Sequence, residues 1–375
     1  MSNYCVAQSG QDMFFFYPSE NPPALRYRIW REGQLLDEDN LHAGIRLPFS
    51  VFHQGDLLHV FCQDAAGSTL LFTYRDGAWG NRTILRGDAV SVLLTPMISD
   101  DSLCVLYNGF TEEADASSLF KRFMSGAGEW QQAVTIDHYS PFPFTPYVAQ
   151  ATGPEHLILF YQTHGPAEER QVGYREVTPL RTGPFHRFLN AQGTLLDASY
   201  LTTHDAVHVL MIVRTAFSCQ LLYRKKADDV FTPPALLWES PKIEHCLLTI
   251  VGNDLYATCM IGGKLNRAVS ADFGDTFGPM GLYKRKFCAE PVKADFAANE
   301  QLKGWFARQV YVDRGAPWDV QMIPDLCPGF YPGGVKESDR MKELKDSLAA
   351  AQLALDAKDK QILELMYRAK VSEES

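Results

Sequence analysis

A short pattern of polar and hydrophobic positions recurs along most of the chain. Each copy consists of a turn residue, an apolar anchor and then a strand-like run, as in QGDLLHVF and PEHLILFY. The seven apolar anchors are Met13, Leu57, Leu103, Leu157, Val207, Leu255 and Leu302. They are separated by 44, 46, 54, 50, 48 and 47 residues, which indicates an internal repeat of about 48 residues.

Each repeat predicts four short strands that are divided by Gly, Asp, Asn and Pro turns. In the second repeat these strands are RLPFSVF, LLHVFCQ, TLLFTYR and WGNRTIL. Four-stranded units of this length, repeated seven times, are typical of a β-propeller. We therefore predict an all-β fold, a seven-bladed β-propeller of four-stranded blades over residues 1–327. Its ring would close by pairing the N-terminal and C-terminal strands in one blade, or by packing the first blade on the last.

An aromatic residue followed by a basic one ends a strand-like run in most repeats. These pairs are Tyr27-Arg28, Tyr74-Arg75, Phe120-Lys121, Tyr174-Arg175 and Tyr223-Arg224. A second aromatic column follows a turn, at Trp79, Trp130, Phe231 and Phe277. We expect the tyrosines to pack between blades while the arginines extend to solvent. Propeller lectins also place arginine between blades, but together with Glu and Trp columns that do not recur here, so a structural role is favoured.

The composition changes after residue 327. A Pro- and Gly-rich linker spans 328–337, and residues 338–371 predict a single long C-terminal α-helix. The heptad a and d positions of this helix are apolar except for Lys358, which is typical of a coiled coil. The residues predicted to mediate oligomerisation are Met341, Leu344, Leu348, Ala351, Leu355, Ile362 and Leu365. Self-association is favoured over packing on the propeller or binding a partner helix, with dimer and trimer both open.

One turn of the sixth repeat carries a family motif. Its residues Ser270, Asp272, Gly274, Thr276 and Phe277 stand in the order S-x-D-x-G-x-[T/S]-[W/F]. This stretch resembles the Asp-box of sialidase-like (BNR) propellers. The serine and aspartate would hydrogen-bond within the turn, the glycine would supply a positive φ, and the phenylalanine would cover the sheet. In that family the motif is a structural element on the face away from the catalytic site.

A second resemblance to the same family involves Arg46. The tripeptide Arg46-Leu47-Pro48 is similar to the Arg-Ile-Pro motif that supplies the first arginine of the sialidase carboxylate site. It implies a glycoside hydrolase as an alternative function. However, the partner arginines and the Tyr–Glu nucleophile pair have no convincing counterparts, and Pro48 also fits a proline position that repeats ahead of the strands. We therefore assign no catalytic residue.

Composition narrows the possible partners. The chain has 35 Lys and Arg against 45 Asp and Glu, a formal net charge of −10, so we expect no nucleic-acid partner. No apolar run is long enough to span a bilayer, and the N-terminus lacks a secretory signal. The eight cysteines are scattered without CxxC pairs, which favours buried thiols in a reducing, cytoplasmic environment over a disulfide framework or zinc site. We expect no metal and no cofactor.

The segment HYSPFPFTPY is the most distinctive candidate for a ligand-binding loop. The predicted ligand-binding residues are Arg46, His138, Tyr139, Phe142, Phe144 and Tyr147. Aromatic side chains stiffened by prolines bind sugars or proteins with little loss of entropy, whereas the alternative is that Phe142 and Phe144 fill the core between blades. The sequence thus predicts non-catalytic recognition of a protein or glycan, made multivalent by the coiled coil. A sialidase-like hydrolase and a structural assembly subunit are the alternatives.

Overall fold

A computed structural model describes most of the first 313 residues. The described ranges are 4–20, 23–31, 34–85, 94–99, 102–111, 116–124, 129–139, 147–153, 155–164, 170–190, 193–203, 206–227, 230–283, 291–298 and 305–313. Within these ranges the regular secondary structure is β-strand, with no helix. The predicted linker and coiled-coil helix, residues 328–371, lie outside the described residues.

Successive strands pair antiparallel into sheets, which we call blades I to VI. Blade I contains β1 (Cys5–Ser9), β2 (Asp12–Glu20), β3 (Pro23–Arg31) and β4 (Gln34–Ala43). Blade II contains β5 (Ile45–Gln54), β6 (Leu57–Asp64), β7 (Thr69–Arg75) and β8 (Ala78–Leu85). Blade III contains β9 (Leu94–Ser99), β10 (Ser102–Thr111), β11 (Ala116–Met124) and β12 (Val134–His138). The four strands predicted for the second repeat are confirmed.

The second half of the chain continues in the same way. Blade IV contains β13 (Val148–Gly153), β14 (His156–His164), β15 (Arg170–Val177) and β16 (His186–Asn190). Blade V contains β17 (Thr194–Thr202), β18 (Val207–Arg214), β19 (Cys219–Ala227), β20 (Val230–Phe231) and β21 (Ala235–Ser240). Blade VI contains β22 (Cys246–Val251), β23 (Asp254–Ile261), β24 (Lys264–Ser270) and β25 (Gly281–Leu282). Three strands follow: β26 (Pro291–Ala298), β27 (Trp305–Ala307) and β28 (Gln309–Asp313).

Apolar cores between neighbouring blades join the sheets into a ring. Strand alternation gives each blade two apolar faces, and each face packs on a different neighbour. Residues that share a core across each junction, from I–II round to VI–I, are Phe16 with Phe72, Phe61 with Leu103, Leu106 with Leu159, Phe160 with Met211, Leu210 with Leu248, and Leu247 with Tyr311. The described strands therefore form an all-β, six-bladed β-propeller.

The prediction of seven blades is wrong, because the seventh repeat does not form a sheet of its own. Strand β26 pairs parallel with β1, with Cys5 opposite Asp295, and β28 pairs antiparallel with β26. Strand β27 instead pairs with β22 of blade VI. The last repeat thus extends blades I and VI. Of the two modes of ring closure considered, the structure shows the pairing of N-terminal and C-terminal strands in one blade.

An ion pair ties these late strands to blade V, two blades away in the ring. The Nζ atom of Lys293 in β26 lies 3.0 and 2.9 Å from the two carboxylate oxygens of Asp197 in β17, and it donates to Ala198 O at 3.1 Å. Asp197 also accepts the backbone N–H of Cys246 in β22 at 2.9 Å. Although burial opposes ionisation, Lys293 and these hydrogen bonds lower the pKa of Asp197 to about 2. Blades I, V and VI therefore meet at one charged contact.

Tyrosines of the third strands pack between blades, as predicted, and their partners are aromatic residues of the next blade. The prediction that the arginines extend to solvent is wrong for Arg28 and Arg175, whose side chains are 12% and 20% exposed. Ring centroids are 5.6 Å apart for Tyr27 and Trp79, 6.2 Å for Tyr174 and Phe231, and 4.7 Å for Tyr223 and Phe277. Such aromatic contacts contribute roughly 1 kcal/mol each beyond their buried area. They fix the angle between neighbouring blades.

The strand register corrects two members of the predicted Tyr-Arg column. Tyr174 lies opposite Phe160. The equivalent position of blade III, opposite Leu106, holds Lys121, and Arg122 follows it. In blade II the position opposite Val60 holds Phe72, so Tyr74-Arg75 is displaced by two residues. The equivalent position holds a Tyr-Arg pair in blades I, IV and V. The prediction misplaced the pairs of blades II and III, because sequence spacing does not show β-sheet register.

The described cysteines are buried side chains of this fold. Cys5, Cys62, Cys104, Cys219, Cys246 and Cys259 are buried and not in disulfides. Burial raises the pKa of Cys62 and Cys259 to about 12, so these thiols stay protonated. In the part of the chain that the structure describes, no group of three or more His, Cys, Asp or Glu residues is placed to hold a metal ion. Among the same residues, no helix is long and apolar enough to cross a membrane.

Candidate functional site

The segment 138–147 divides between the surface and the core. His138 is exposed, and its Nδ1 lies 2.8 Å from Ser118 Oγ. Tyr139 and Tyr147 are buried in the core between blades III and IV. The Tyr147 hydroxyl donates to Leu106 O at 3.2 Å. Phe142 and Phe144 lie outside the described residues, and the ligand-binding role of this set stays a prediction.

Arg46 lies apart from that segment, at the beginning of β5 in blade II. Its Nη2 donates to the carbonyl oxygen of Ala65 at 2.7 Å, across the turn that follows β6. The contact ties two turns of one blade together. The described contacts of Arg46 therefore do not join it to His138 or to a second arginine.

A charged network lies next to His138, where blade III meets blade IV. Asp137 is the penultimate residue of the outer strand β12, whereas Tyr161 and Arg175 lie on β14 and β15. Asp137 Oδ2 accepts the Tyr161 hydroxyl at 2.6 Å and Arg175 Nη2 at 2.7 Å. Arg175 Nε donates to the Tyr161 hydroxyl at 2.6 Å, and Nη1 donates to Gly183 O at 2.8 Å. We call Asp137, Tyr161 and Arg175 the blade IV triad.

Tyr161 and Arg175 of the blade IV triad both keep their protons at neutral pH. Burial, the hydrogen bond to Asp137 and the charge of Asp137 raise the pKa of Tyr161, so its hydroxyl keeps its proton. The pKa of Arg175 is raised by Asp137 and Tyr161, although burial opposes this. The side chains of Arg175 and Asp137 are 20% and 22% exposed, so the triad is accessible from the rim of the junction. It is a pre-oriented set of charged donors and acceptors.

The walls around the triad are rigid. The guanidinium of Arg175 lies 5.7 Å from the ring centroid of Phe185, and Phe185 packs 5.2 Å from the ring of Tyr161. Gly173 lies opposite Tyr161 in the register, and a Cβ at this glycine would overlap His186 O. At the rim, Thr163 Oγ1 donates to His138 O at 2.7 Å. Triad and rim are therefore fixed by backbone as well as side-chain contacts.

The hydrogen bond between Ser118 and His138 is not a catalytic pair. A nucleophilic serine must reach its substrate, but Ser118 is 0% exposed. Its hydroxyl instead orients the ring of His138, which keeps the other nitrogen toward solvent. The geometry suits binding rather than acyl transfer.

Arginines at the matching register position recur in other blades. Arg28, Arg122, Arg175 and Arg224 lie opposite the residues Phe15, Val105, Leu159 and Val209 of their second strands. Each guanidinium lies over an aromatic ring of its own blade, at 5.2–5.7 Å from the ring centroid. Only in blades I and IV do the described contacts add a carboxylate and a tyrosine hydroxyl. In blade I these are Glu38 and Tyr17.

The motif turn of blade VI is closed by its own hydrogen bonds and packs on blade V. Ser270 Oγ donates to Asp272 Oδ1 at 2.7 Å and accepts Gly274 N at 2.6 Å, and Thr276 Oγ1 donates to Asp272 Oδ2 at 2.6 Å. Gly274 has a φ of +89°, and a Cβ there would overlap the hydroxyl of Tyr223. Phe277 packs edge-on against the same tyrosine. These residues hold two blades together.

Sequence reasoning missed Asp137 and Tyr161 as site residues. Arg175 was predicted only to have a structural role, as part of the Tyr174-Arg175 pair. The side chains of these two residues lie on opposite faces of β15. The available signal was alternation: Tyr161 ends the anchor run LILFY, so it shares a face with Leu157 and Leu159 toward blade III. Asp137, by contrast, belongs to another blade, and only the packing of the two blades brings it near.

Comparison with known proteins finds solved structures that are similar to this chain in fold. No protein-family model and no curated protein matches the chain. A mutant of AofleA from Arthrobotrys oligospora is 11% identical, with a TM-score of 0.47 over 76% of this chain and 87% of that one. A six-bladed propeller lectin from Aleuria aurantia, described by its mode of fucose recognition, is 13% identical, with a TM-score of 0.43 over 74% and 94%.

A third solved structure is also similar. The β-propeller domain of the Trilobed protease from Pyrococcus furiosus, described as an open velcro topology, is 9% identical, with a TM-score of 0.49 over 88% and 97%. Identities and TM-scores at this level assign no activity to the chain. The function must therefore be argued from its own side chains.

Proposed function

We propose that this chain is a non-catalytic recognition propeller that binds a neutral, polyhydroxylated ligand, a glycan, at the blade III–IV junction. The observation that carries the proposal is the blade IV triad with its neighbours, exposed His138 and half-buried Thr163. Sugar hydroxyls donate and accept together, and a fixed arginine–carboxylate pair offers both functions at the same place. One positive and one negative charge balance, which suits an uncharged ligand.

The surroundings support a polar ligand over an apolar protein anchor. Protein hot spots are built around exposed aromatic or aliphatic side chains. The most exposed large apolar residues in the described ranges are Leu180 and Phe217, and neither belongs to the triad or to its rim. Pre-orientation also matters, because ordering side chains on binding costs affinity. The hydrogen bonds within the triad remove much of that cost beforehand.

Binding of labelled neutral glycans to the full chain tests this proposal. A glycan array would identify ligands, and calorimetry would measure their affinity for the native chain, Arg175→Gln and Arg224→Gln. We expect Arg175→Gln to weaken binding at least about tenfold, since a hydrogen bond to a charged group is lost. Arg224→Gln is the matched control, because this arginine has the same register in blade V and donates to Thr232 O rather than to a carboxylate.

Three results would overturn the proposal. They are the absence of any neutral-glycan binding, equal losses in the two arginine variants, and turnover of aryl-glycosides by the native chain. Turnover of aryl-glycosides would instead support the hydrolase alternative. Thermal unfolding of both arginine variants checks that they are folded.

We further propose that residues 338–371 multiply the site through a coiled coil. Linked sites gain avidity from effective concentration without any new contact. Light scattering of the full chain and of a Leu348→Asp/Leu355→Asp variant tests this. We expect an oligomer that becomes a monomer in the variant; a monomeric native chain would exclude the idea.

The cysteines also bear on the location that we propose. The six that lie within the described residues are buried and not in disulfides. Reduced thiols of this kind support a reducing location such as the cytoplasm.

A further inference from the structure

Three blades place a tyrosine at the same position of the second strand, but the residue opposite differs. Tyr17, Tyr107 and Tyr161 are the last residues of the anchor runs in blades I, III and IV. The residue directly opposite is Arg26 in blade I, Phe120 in blade III and Gly173 in blade IV. Blade I thus combines the elements of the blade IV triad with an additional arginine.

The blade I cluster consists of Tyr17, Arg26, Arg28 and Glu38. Glu38 Oε1 accepts the Tyr17 hydroxyl at 2.8 Å and Arg28 Nη2 at 3.1 Å, and it lies 3.2 Å from Arg26 Nη2. Both guanidinium groups lie over the Tyr17 ring, at 5.8 and 5.6 Å from its centroid. The two arginines therefore share one carboxylate and one aromatic platform.

Charge is not balanced on this face of blade I. Burial alone would raise the pKa of Glu38. Hydrogen bonds from Tyr17 and Arg28, together with the charges of both arginines, lower this pKa overall, so Glu38 is ionised at neutral pH. The cluster then carries two positive charges and one negative charge. The other acids of β4, Asp37 and Asp39, alternate to the opposite face, where the Tyr27 hydroxyl donates to Asp37 at 2.9 Å. Within the cluster, the formal charges of Arg26, Arg28 and Glu38 therefore sum to +1.

The surplus charge is accessible. A guanidinium has five N–H donors, and Arg26 directs Nη2 to Glu38 while its side chain stays 36% exposed. Asn40, an exposed residue, lies directly opposite Arg26 on β4 and adds an amide at the same end of the cluster. Arginine is the side chain best suited to paired hydrogen bonds with a carboxylate. The position that Gly173 leaves without a side chain in blade IV thus carries a partly exposed guanidinium group in blade I.

We propose that blade I carries a second binding site, for a carboxylate-bearing ligand, in which Arg26 and Asn40 take the carboxylate beside Tyr17. Arg28 and Glu38 act as positioning residues, because their contacts hold the Tyr17 hydroxyl and Arg26 in place. This site does not depend on the proposed glycan site. Its ligand class follows from the unbalanced arginine, whereas the blade IV triad is electrically neutral.

Titration of the full chain with small carboxylates tests the second site. The probes are acetate, D-glucuronate and N-acetylneuraminate, with the methyl ester of D-glucuronate as the uncharged counterpart, and binding is followed by NMR chemical shifts or calorimetry. We expect millimolar or tighter binding of at least one acid, a weaker interaction with the ester and a loss of affinity as salt is raised. Arg26→Gln should lower the affinity about tenfold or more.

Arg31→Gln is the matched control. Arg31 lies on the same strand, and its Nε pairs with Asp12 at 2.7 Å, away from Tyr17. We expect it to bind the acids as the native chain does, and we expect Arg175→Gln to do so as well while losing neutral glycans. The proposal is overturned if no acid binds at millimolar concentrations, if acid and ester bind equally, or if Arg31→Gln loses as much as Arg26→Gln. Loss of acid binding in Arg175→Gln alone would move the acid site to the blade III–IV junction.

Discussion

The junction between blades V and VI and the junction between blades III and IV both enclose a tyrosine hydroxyl, but with opposite surroundings. At V–VI the Tyr223 hydroxyl lies 2.7 Å from Nδ1 of buried His208, against Gly274 and beside Phe277. At III–IV the Tyr161 hydroxyl is held by an ion pair that is partly exposed. At V–VI the hydroxyl is enclosed by packing, and the ion pair of that junction, Lys225 with Asp275 at 2.8 Å, lies apart from it, whereas at III–IV the ion pair holds the hydroxyl itself. The difference favours a structural role for the V–VI junction and supports the proposed binding site at the III–IV junction.

The strongest test of the closed junction is Gly274→Ala. The new methyl group would overlap the Tyr223 hydroxyl, and the positive φ of +89° adds backbone strain. We expect the free energy of unfolding to fall by about 3–4 kcal/mol in urea titrations, the sum of overpacking and φ effects. Gly262→Ala is the control: its φ is +57° and no atom lies within 4 Å of the new Cβ, so it should cost about 1 kcal/mol. Equal losses would mean that the contact with Tyr223 is unimportant.

Acid should weaken the closed junction next. Burial and the charge of Lys225 lower the pKa of His208 to about 4, whereas an unfolded histidine titrates near 6.5. The unfolded chain therefore binds more protons, and the free energy of unfolding falls as pH drops from about 6.5 to about 4. The histidine alone contributes about 3 kcal/mol. Buried His53 and His59, with pKa values also lowered to about 4, act in the same direction.

Unfolding of native chain and variants across this pH range measures that effect. His208→Gln should flatten part of the dependence, because the glutamine side chain does not titrate. A native chain with constant stability between pH 6.5 and 4 would contradict the assignment of His208 as a neutral, buried group.

The smallest expected stability effect is at the charged junction. Tyr161→Phe removes the hydroxyl that links Asp137 and Arg175 but leaves their ion pair intact, so we expect a loss of about 1–2 kcal/mol in the free energy of unfolding. The control is Tyr107→Phe, at the same position in blade III, where the ring stacks on Phe120 at 5.3 Å. We expect less than about 0.5 kcal/mol there. If the two variants lose equally, the triad hydrogen bonds do not stabilise the junction.

The strands were predictable because their pattern is local. Anchor and turn spacing predicted the strands of the second repeat as they occur in β5 to β8. The blade count was not predictable in the same way, since the repeat pattern does not show with which sheet a strand pairs. The partner of β26 is β1, and Asp295 pairs with Cys5, 290 positions before it. Tertiary packing decided that pairing.

The candidate site was less predictable for a related reason. Arg175 and Tyr161 come from neighbouring strands, so alternation and register bring them together. Asp137 comes from the preceding blade, and no spacing rule reports which outer-strand residue meets which blade. The aromatic residues of 138–147 drew attention by composition, yet Tyr139 and Tyr147 are buried in the junction core. Large apolar rings fill cores at least as readily as they bind ligands.

The parallel pairing of β1 with β26 has a consequence for biosynthesis. A ribosome makes the N-terminal end first, so the inner edge of β1 stays unpaired until residues near 295 have emerged. Blades II to V depend only on earlier segments and have their strands complete before then. Unpaired strand edges are sites of wrong association, and pairings between distant segments form slowly. The nascent chain is therefore most vulnerable to aggregation late in translation, just before β26 pairs with β1.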